Sequence, residues 1–453
     1  MEEQLIQWDG PSRRRWCCGE ATEEARRIAY VAAPMVGVLM SQFLVQVSST
    51  MVVGHLGELN LAAAAIAFSL ANVSGFSVLV GMASGLETLC GQAYGAKQYH
   101  SLGVYTYRAI FSLLMVCLPI SLVWASMGKL LQLVGQDPAI SQEAERYAIW
   151  MIPGLFAYAI TQPLMKFLQS QSLIFPMLLS SVSTLCLHVL FCWLLVYKSS
   201  LYNVGAAVSL NSCRLTRSPI TKEAFKGIYE FLRVAVPSAL MLCLEWWSYE
   251  LLILLSGLLP YPKLETSVLS ICLNSVALLY SIPYGLGSAA STRVSNELGA
   301  SNPNGAKFAA LVSMLLAVLE AVLVLATLLA LRRVLGYAYS NEEEVVNYVY
   351  EMVPLVCLTV VSDSISGILS GVARGSGWQH LGAYVNLGAF YLVGIPVAIL
   401  LGFALHLRGK GLWVGIMCGS ITQSILLAVI TSFTNWEHQV KLARERVLHE
   451  DYL

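Results

Sequence analysis

Charge is scarce in this chain. Only 12% of its 453 residues are charged, and 27 basic and 27 acidic side chains cancel to a formal net charge of zero. No long basic run follows the first residues, which excludes nucleic acid as a partner, since phosphate binding needs clustered Lys and Arg. Metal-ligand spacing is missing too: the 11 cysteines lie mostly singly inside apolar runs and the 7 histidines are scattered. No nucleophile pair or phosphate loop occurs, so no metal, no cofactor and no enzyme activity is expected. The first 28 residues carry Arg13, Arg14, Arg15, Arg26 and Arg27 among acids, without a cleavable signal pattern.

What the chain has is apolar surface. Hydrophobic residues make up 57% of it and the mean hydropathy is +0.66, far from the balance that keeps a globular domain in water. A bilayer core of about 30 Å takes about 20 apolar residues per helix. Spans of that kind fall at 29–53, 61–88, 106–127, 146–165, 174–197, 234–257, 266–288, 308–331, 346–370, 382–404 and 412–433. The joints between them, such as GHLGEL and GLLPYPKLE, suit the turns of a compact bundle and leave no room for a soluble domain. Pro34, Pro153, Pro237, Pro283, Pro354 and Pro396 lie inside spans, where neighbouring helices can satisfy the freed carbonyls.

The two halves echo each other. GLETLCGQAYGA ends at Ala96 and SAASTRVSNELGA at Ala300, 204 positions on, each closing the second span of its half. ERYAIWMIPG with Pro153 matches VNYVYEMVPL with Pro354, and NVGAAVS with Gly205 matches WVGIMCGS with Gly415. Three echoes in one order mark a two-lobed transporter. The third exposes a gap: a full span follows Gly415, whereas after Gly205 the chain soon turns polar in NSCRLTRSPITKE. A sixth span of about 20 to 25 residues is missing near Leu210, leaving eleven spans instead of twelve. The positive-inside bias places the N-terminus, the loop with Arg214, Arg217, Lys222 and Lys226, and the tail with Lys441, Arg444 and Arg446 in the cytosol, which eleven simple crossings cannot satisfy. A marginal or re-entrant segment at 201–213 is the alternative. The expected organisation is a tail over 1–28, an N-terminal lobe over 29–210, a basic connection over 211–230, a C-terminal lobe over 231–433 and a tail over 434–453.

CGQAYGAKQY at 90–99, CLEWWSYELLILLSGLLP at 243–260, ETSVLSICL at 265–273 and STRVSNELGA at 291–300 resemble the plant branch of the multidrug and toxic compound extrusion (MATE) transporters, the detoxification proteins. The resemblance runs from about residue 20 to 436. It implies an all-α integral membrane fold of two six-helix lobes around a central cavity that opens to either side in turn. It also implies export of organic cations, alkaloids, flavonoids or other organic solutes in exchange for protons or sodium.

Ionisable groups inside lipid are costly, so each one is a candidate for function. The acids are Glu87, Glu245, Glu250, Glu320 and Asp363. A carboxyl group in a dry cavity favours its neutral form, and transport is coupled if the two forms prefer different conformations. The resemblance assigns proton coupling to an acidic pair in the seventh and tenth helices, which CLEWWSYE and VVSDSISG place at Glu245 and Asp363; packing as neutral, hydrogen-bonded acids is the alternative. Glu250 lies about 140° around the helix from Glu245 and reads as an anchor near the outer end, Glu320 as a buried hydrogen bond, and Glu87, close to a helix end and within reach of water, as a gating or packing residue. Gln42, Gln46, Asn72, Asn274, Asn386 and Gln423 are span amides able to bind substrate or bridge helices. Phe43, Trp246, Trp247, Tyr280 and Tyr284 offer faces to a flat or cationic ligand, and Pro283 kinks a helix near them. Trp124, Trp413 and Trp436 read as interface anchors. His188, the one mid-span histidine, reads as packed.

The leading reading is proton-coupled efflux by a monomer in the lipid bilayer of the plasma or vacuolar membrane, with a small organic substrate and protons as partners. A passive facilitator and an inactive or regulatory shortened isoform lacking one helix are the alternatives.

Overall fold

The computed structural model describes residues 18–54, 58–133, 135–192, 227–339 and 342–448. Among them there is no strand, and eleven helices are long and apolar enough to cross a membrane. In chain order these are α1 (Cys18–Gly54), α2 (Leu59–Gly95), α3 (Tyr99–Ala125), α5 (Pro138–Ser170), α6 (Ile174–Cys192), α7 (Ile228–Ser256), α8 (Pro262–Gly299), α9 (Pro303–Tyr339), α10 (Glu343–Ser376), α11 (Gln379–Ala404) and α12 (Arg408–Ser432). A short α4 (Met127–Leu133) follows α3, and α13 (Trp436–Leu448) closes the described chain. All eleven spans read from the sequence are present. Most outrun their apolar windows: α8 has 38 residues, and at 1.5 Å per residue that is about 57 Å, well beyond a bilayer core.

Helix directions follow from which residues meet. Gly37 abuts Leu178 and Ser49 hydrogen-bonds His188 at 3.0 Å, so α6 runs parallel to α1. Gly285 meets Val36 while Arg293 donates to Glu24 at 2.7 Å, so α8 is antiparallel to α1. Gly91 and Gly95 face Ser295 and Asn296, making α2 parallel to α8, and Gly81 and Gly85 face Ala239 and Ala235, making α7 antiparallel to α2. It follows that α6 and α7 run the same way, and that Cys192 and Ile228 sit at opposite ends of the bundle. The missing sixth span, the segment at 201–213 and the NVGAAVS echo all fall at 193–226, outside the described residues.

The first echo is structural. α2 and α8 end alike: Ala96 N–H donates to Gln92 O and Ala300 N–H to Asn296 O, and Lys97 and Ser301 then adopt left-handed φ of 62° and 59°. The two ends also pack on one another. A Cβ on Gly95 would run into the carbonyl oxygen of Asn296, and one on Gly299 into that of Gln92, so each half supplies the glycine that the other half's backbone needs. At this end, which also carries the starts of α1, α3, α7 and α9, the lobes are closed against each other. α13 lies over it: Arg446 donates to Gln92 of α2 and to the carbonyls of Ser376 and Gly377 at the end of α10, each at 3.2 Å.

Small residues set the other close seams, as where Gly287 of α8 meets Gly367 and Gly371 of α10. One apolar cluster joins α1 through α5 with Phe231, Ala235 and Ala239 of α7, and a second joins α7 through α12. Large apolar side chains such as Leu315, Leu319 and Leu323 are exposed along α9, as a lipid-facing surface requires. Trp124 and Trp413 do not anchor an interface. Both are buried, because their indole N–H groups find partners inside, Ser74 Oγ at 3.0 Å and Thr359 Oγ1 at 3.0 Å.

Candidate functional site

α7 presents one face to the site. Glu245 and Tyr249 share a face at i and i+4 and point among α8, α10, α11 and α12. Glu245 Oε1 accepts from the Tyr280 hydroxyl at 3.2 Å, and Oε2 from Gln423 Nε2 at 2.8 Å and Asn386 Nδ2 at 3.4 Å. Asn386 is held in turn by the Met241 carbonyl at 2.6 Å and by Gln423, whose Nε2 donates to its Oδ1 at 2.9 Å. It is the last α-helical residue before a π-helical stretch, Leu387–Gly394, that reshapes α11 beside the site.

Asp363 of α10 is buried as well. It accepts from Ser420 Oγ at 2.6 Å and from the Tyr249 hydroxyl at 3.3 Å. Ser420, Gln423 and Ser424 form one polar stripe on α12 at i, i+3 and i+4, with Ser362 hydrogen-bonded to both serines. Among the described residues every hydrogen-bond donor to the two carboxyl groups is neutral. Hydroxyls can donate to a carboxylate or accept from a carboxylic acid, so Ser420, Tyr249 and Tyr280 can serve either protonation state without moving apart.

A second buried acid has the opposite surroundings. Glu87 is 3% exposed, two turns inside α2, and does not reach water. Its Oε1 accepts from Lys166 Nζ of α5 at 2.5 Å and its Oε2 from Arg374 Nε of α10 at 2.9 Å. Both cations also lie against the Tyr284 ring, 5.9 and 5.8 Å from its centre. Around this ion triad the seam is polar: Gln169 Nε2 donates to Ser288 O at 3.1 Å, Gln92 Nε2 to Gly375 O at 3.3 Å, and Thr88 Oγ1 to the Arg374 carbonyl.

The remaining sequence candidates scatter. Trp246, Tyr280 and Tyr284 gather with Val80, Leu242, Leu39 and Tyr158 in a cluster between the lobes, with Pro283 buried between the two tyrosines. Asn386 is fully buried and committed to the Glu245 network. Gln42 contacts Met165 Sδ at 3.7 Å, Gln46 and Asn274 are exposed, and Asn72 opens the π-helical turn Asn72–Phe76 of α2. Trp247 caps that turn from α7, donating to Val73 O at 3.0 Å. Glu250 faces away from Glu245 and accepts from Ser69 of α2 at 2.8 Å. Glu320 is half-buried, with its carboxyl oxygens covered beside Ser364 of α10. His188 is buried against Ser49 and Cys192. Sequence reading missed Tyr249 and Ser420, which helical spacing from Glu245 and Gln423 points to, and Lys166 and Arg374, which lie just past the apolar windows.

Among the described residues no His, Cys, Asp or Glu group is placed to hold a metal ion. The MatE family model matches residues 34–194 and 237–400, once in each half. Protein DETOXIFICATION 10 of Arabidopsis thaliana is 52% identical over 455 residues, covering 96% of this chain and 93% of that protein. Protein DETOXIFICATION 3 of the same plant is 46% identical over 472 positions, covering 100% of this chain and 99% of that protein. Those 472 positions exceed the 453 residues here by 19, so at least that many of the relative's residues have no counterpart in this chain. The crystal structure of the eukaryotic MATE transporter AtDTX14 is similar with a TM-score of 0.90 at 51% identity, covering 94% of this chain and 99% of that one. An outward-facing multidrug resistance MATE family transporter shares the fold at 15% identity, with a TM-score of 0.82 over 93% of this chain and 97% of the other. With its repeat, its eleven described spans and these relatives, the chain belongs to the MATE family of membrane transporters.

Proposed function

We propose that this chain exports organic solutes, among them xenobiotics, alkaloids, flavonoids or organic cations, in exchange for protons by alternating access. The observation that carries the reading is the all-neutral donor shell of Glu245 and Asp363, set beside the half-buried aromatic cluster of Trp246 and Tyr280. In this reading the closed end faces the cytosol together with the first residues and α13. Protons reach the acidic pair from the other side. A carboxyl group that takes a proton reverses its bonds to Tyr280, Tyr249 or Ser420, and the charge that would hold a cationic solute disappears. The solute leaves, the lobes rock, and the proton is released to the cytosol. Trp246, Tyr280 and Tyr284 supply ring faces to the solute, and Gln42, Gln46 and Asn72 supply amides on the facing lobe.

The protein works as a monomer in a lipid bilayer, in the plasma or vacuolar membrane, because both separate the cytosol from a more acidic compartment. Its lobes divide at 29–210 and 231–433, joined by the basic stretch 211–230, with tails at 1–28 and 434–453. A second reading, a shortened form without transport of its own, is favoured by the residues without counterpart relative to Protein DETOXIFICATION 3.

Reconstituted vesicles with an imposed pH gradient and a fluorescent organic cation separate the readings. Uphill movement that stops when an ionophore collapses the gradient supports antiport. Downhill movement indifferent to the gradient indicates a facilitator, and no movement indicates the shortened, inactive form.

A further inference from the structure

The ion triad and the acidic pair are joined by one run of side chains. Glu87 Oε2 meets Arg374 Nε at 2.9 Å, the Arg374 guanidinium lies 5.8 Å from the centre of the Tyr284 ring, the Tyr284 and Tyr280 rings are 6.0 Å apart, and the Tyr280 hydroxyl donates to Glu245 at 3.2 Å. The run crosses the seam between lobes at the Glu87–Arg374 ion pair, beside which Lys166 also touches the Tyr284 ring across the seam. Glu87 and Lys166 stand on α2 and α5, whereas Arg374, Tyr284, Tyr280 and Glu245 stand on α10, α8 and α7.

We propose that Glu87 and Arg374 form the inner gate, and that Arg374, through Tyr284 and Tyr280, makes this gate respond to the charge on Glu245. The inference rests on the antiport reading above and adds to it the residues that link proton to gate. Opening the closed end separates Arg374 from Glu87 but leaves Lys166 with its carboxylate, because both belong to the same lobe. Lys166 keeps Glu87 neutralised in either state. Arg374 keeps no partner from the other lobe and is left with the Tyr284 face and the field of Glu245. Two carboxylates compete for one guanidinium: Glu87 when the end is closed, Glu245 when it is open. An ionised Glu245 favours the open end and a protonated one the closed end, and by reciprocity opening to the cytosol favours release of the proton. Among the described residues Asp363 on α10, Tyr249 on α7, and Tyr158 and Lys166 on α5 are the other titratable or charged groups facing this run, and Gln423 and Asn386 complete the shell of Glu245.

The triad is a positioning device, so its test reads the gate. Spin labels at Tyr99 on α3 and Lys307 on α9, both exposed at the closed end of different lobes, report the separation of that end in the full chain in lipid nanodiscs across a pH series. The wild type is expected to open as pH rises, and Glu245→Gln to flatten that response. Arg374→Gln is expected to hold the end open at every pH and to remove the further effect of Glu245→Gln in the double variant. Tyr284→Leu leaves no buried charge unpaired, which keeps the question answerable if Arg374→Gln does not fold. It should shrink the pH-driven change in the open-to-closed ratio by about fivefold or more, and Tyr284→Phe, which keeps the ring, should restore it. A wild-type response in Tyr284→Leu, or equal effects of Glu245→Gln with and without Arg374, overturns the proposal. Proton-driven transport retained by Glu245→Gln in vesicles would instead overturn the antiport site, a separate result from a separate signal.

Discussion

Glu87 and Glu245 are both glutamates buried in membrane helices, and their neighbours differ completely. Glu87 accepts from two cations that reach it from opposite lobes. Glu245 accepts from a tyrosine and two amides, with no cation among the described residues in hydrogen-bonding contact. A carboxylate clamped by two opposite charges is a structural tie whose loss strands both cations. A carboxyl group among neutral, reversible donors can exist with or without its proton and suits a cycle. Position along a helix says little about which case holds; the partners decide.

Replacing the acid itself breaks this comparison most sharply. Glu245→Gln or Asp363→Asn should reduce proton-driven efflux by about tenfold or more, measured as gradient-dependent uptake into vesicles, with little change in unfolding temperature. Glu87→Ala should act on stability as well, costing about 3–5 kcal/mol by leaving Lys166 and Arg374 unpaired, read from thermal unfolding in detergent. If Glu245→Ala proved as damaging to stability as Glu87→Ala, the distinction would collapse. At the seam between lobes, Gly95→Ala and Gly299→Ala should each cost about 1–3 kcal/mol, and by similar amounts, since each glycine meets the other half's backbone; clearly unequal losses would show that the repeat is not mechanical. The smallest effect is expected from Lys410→Ala, whose pair with Glu351 at 2.5 Å is exposed, at under about 1 kcal/mol.

The fold was legible because lipid demands one thing repeatedly, and eleven apolar windows became eleven helices. Glu245 and Asp363 were visible as two of five acids in apolar runs, and only the resemblance to the detoxification proteins set them apart from Glu87, Glu250 and Glu320. Lys166 and Arg374 were not visible, because apolar windows ending at 165 and 370 treat the next charge as the start of water. In the structure α5 continues to Ser170 and α10 to Ser376, and these last turns are buried between the lobes, where charge is answered by charge. Trp124 and Trp413 were misplaced by the same habit of reading helix ends as interfaces. Tyr249 and Ser420 are ordinary residues by composition; only the rotation of their helices turns them toward Asp363.

The reciprocal contact of Gly95 with Asn296 and of Gly299 with Gln92 carries a consequence for origin. A surface on which residue i meets j while the counterpart of j meets the counterpart of i is isologous, the kind that twofold homodimers form. The seam between the lobes thus preserves, inside one polypeptide, the self-complementary patch by which two separate copies of a half-length ancestor would have recognised each other.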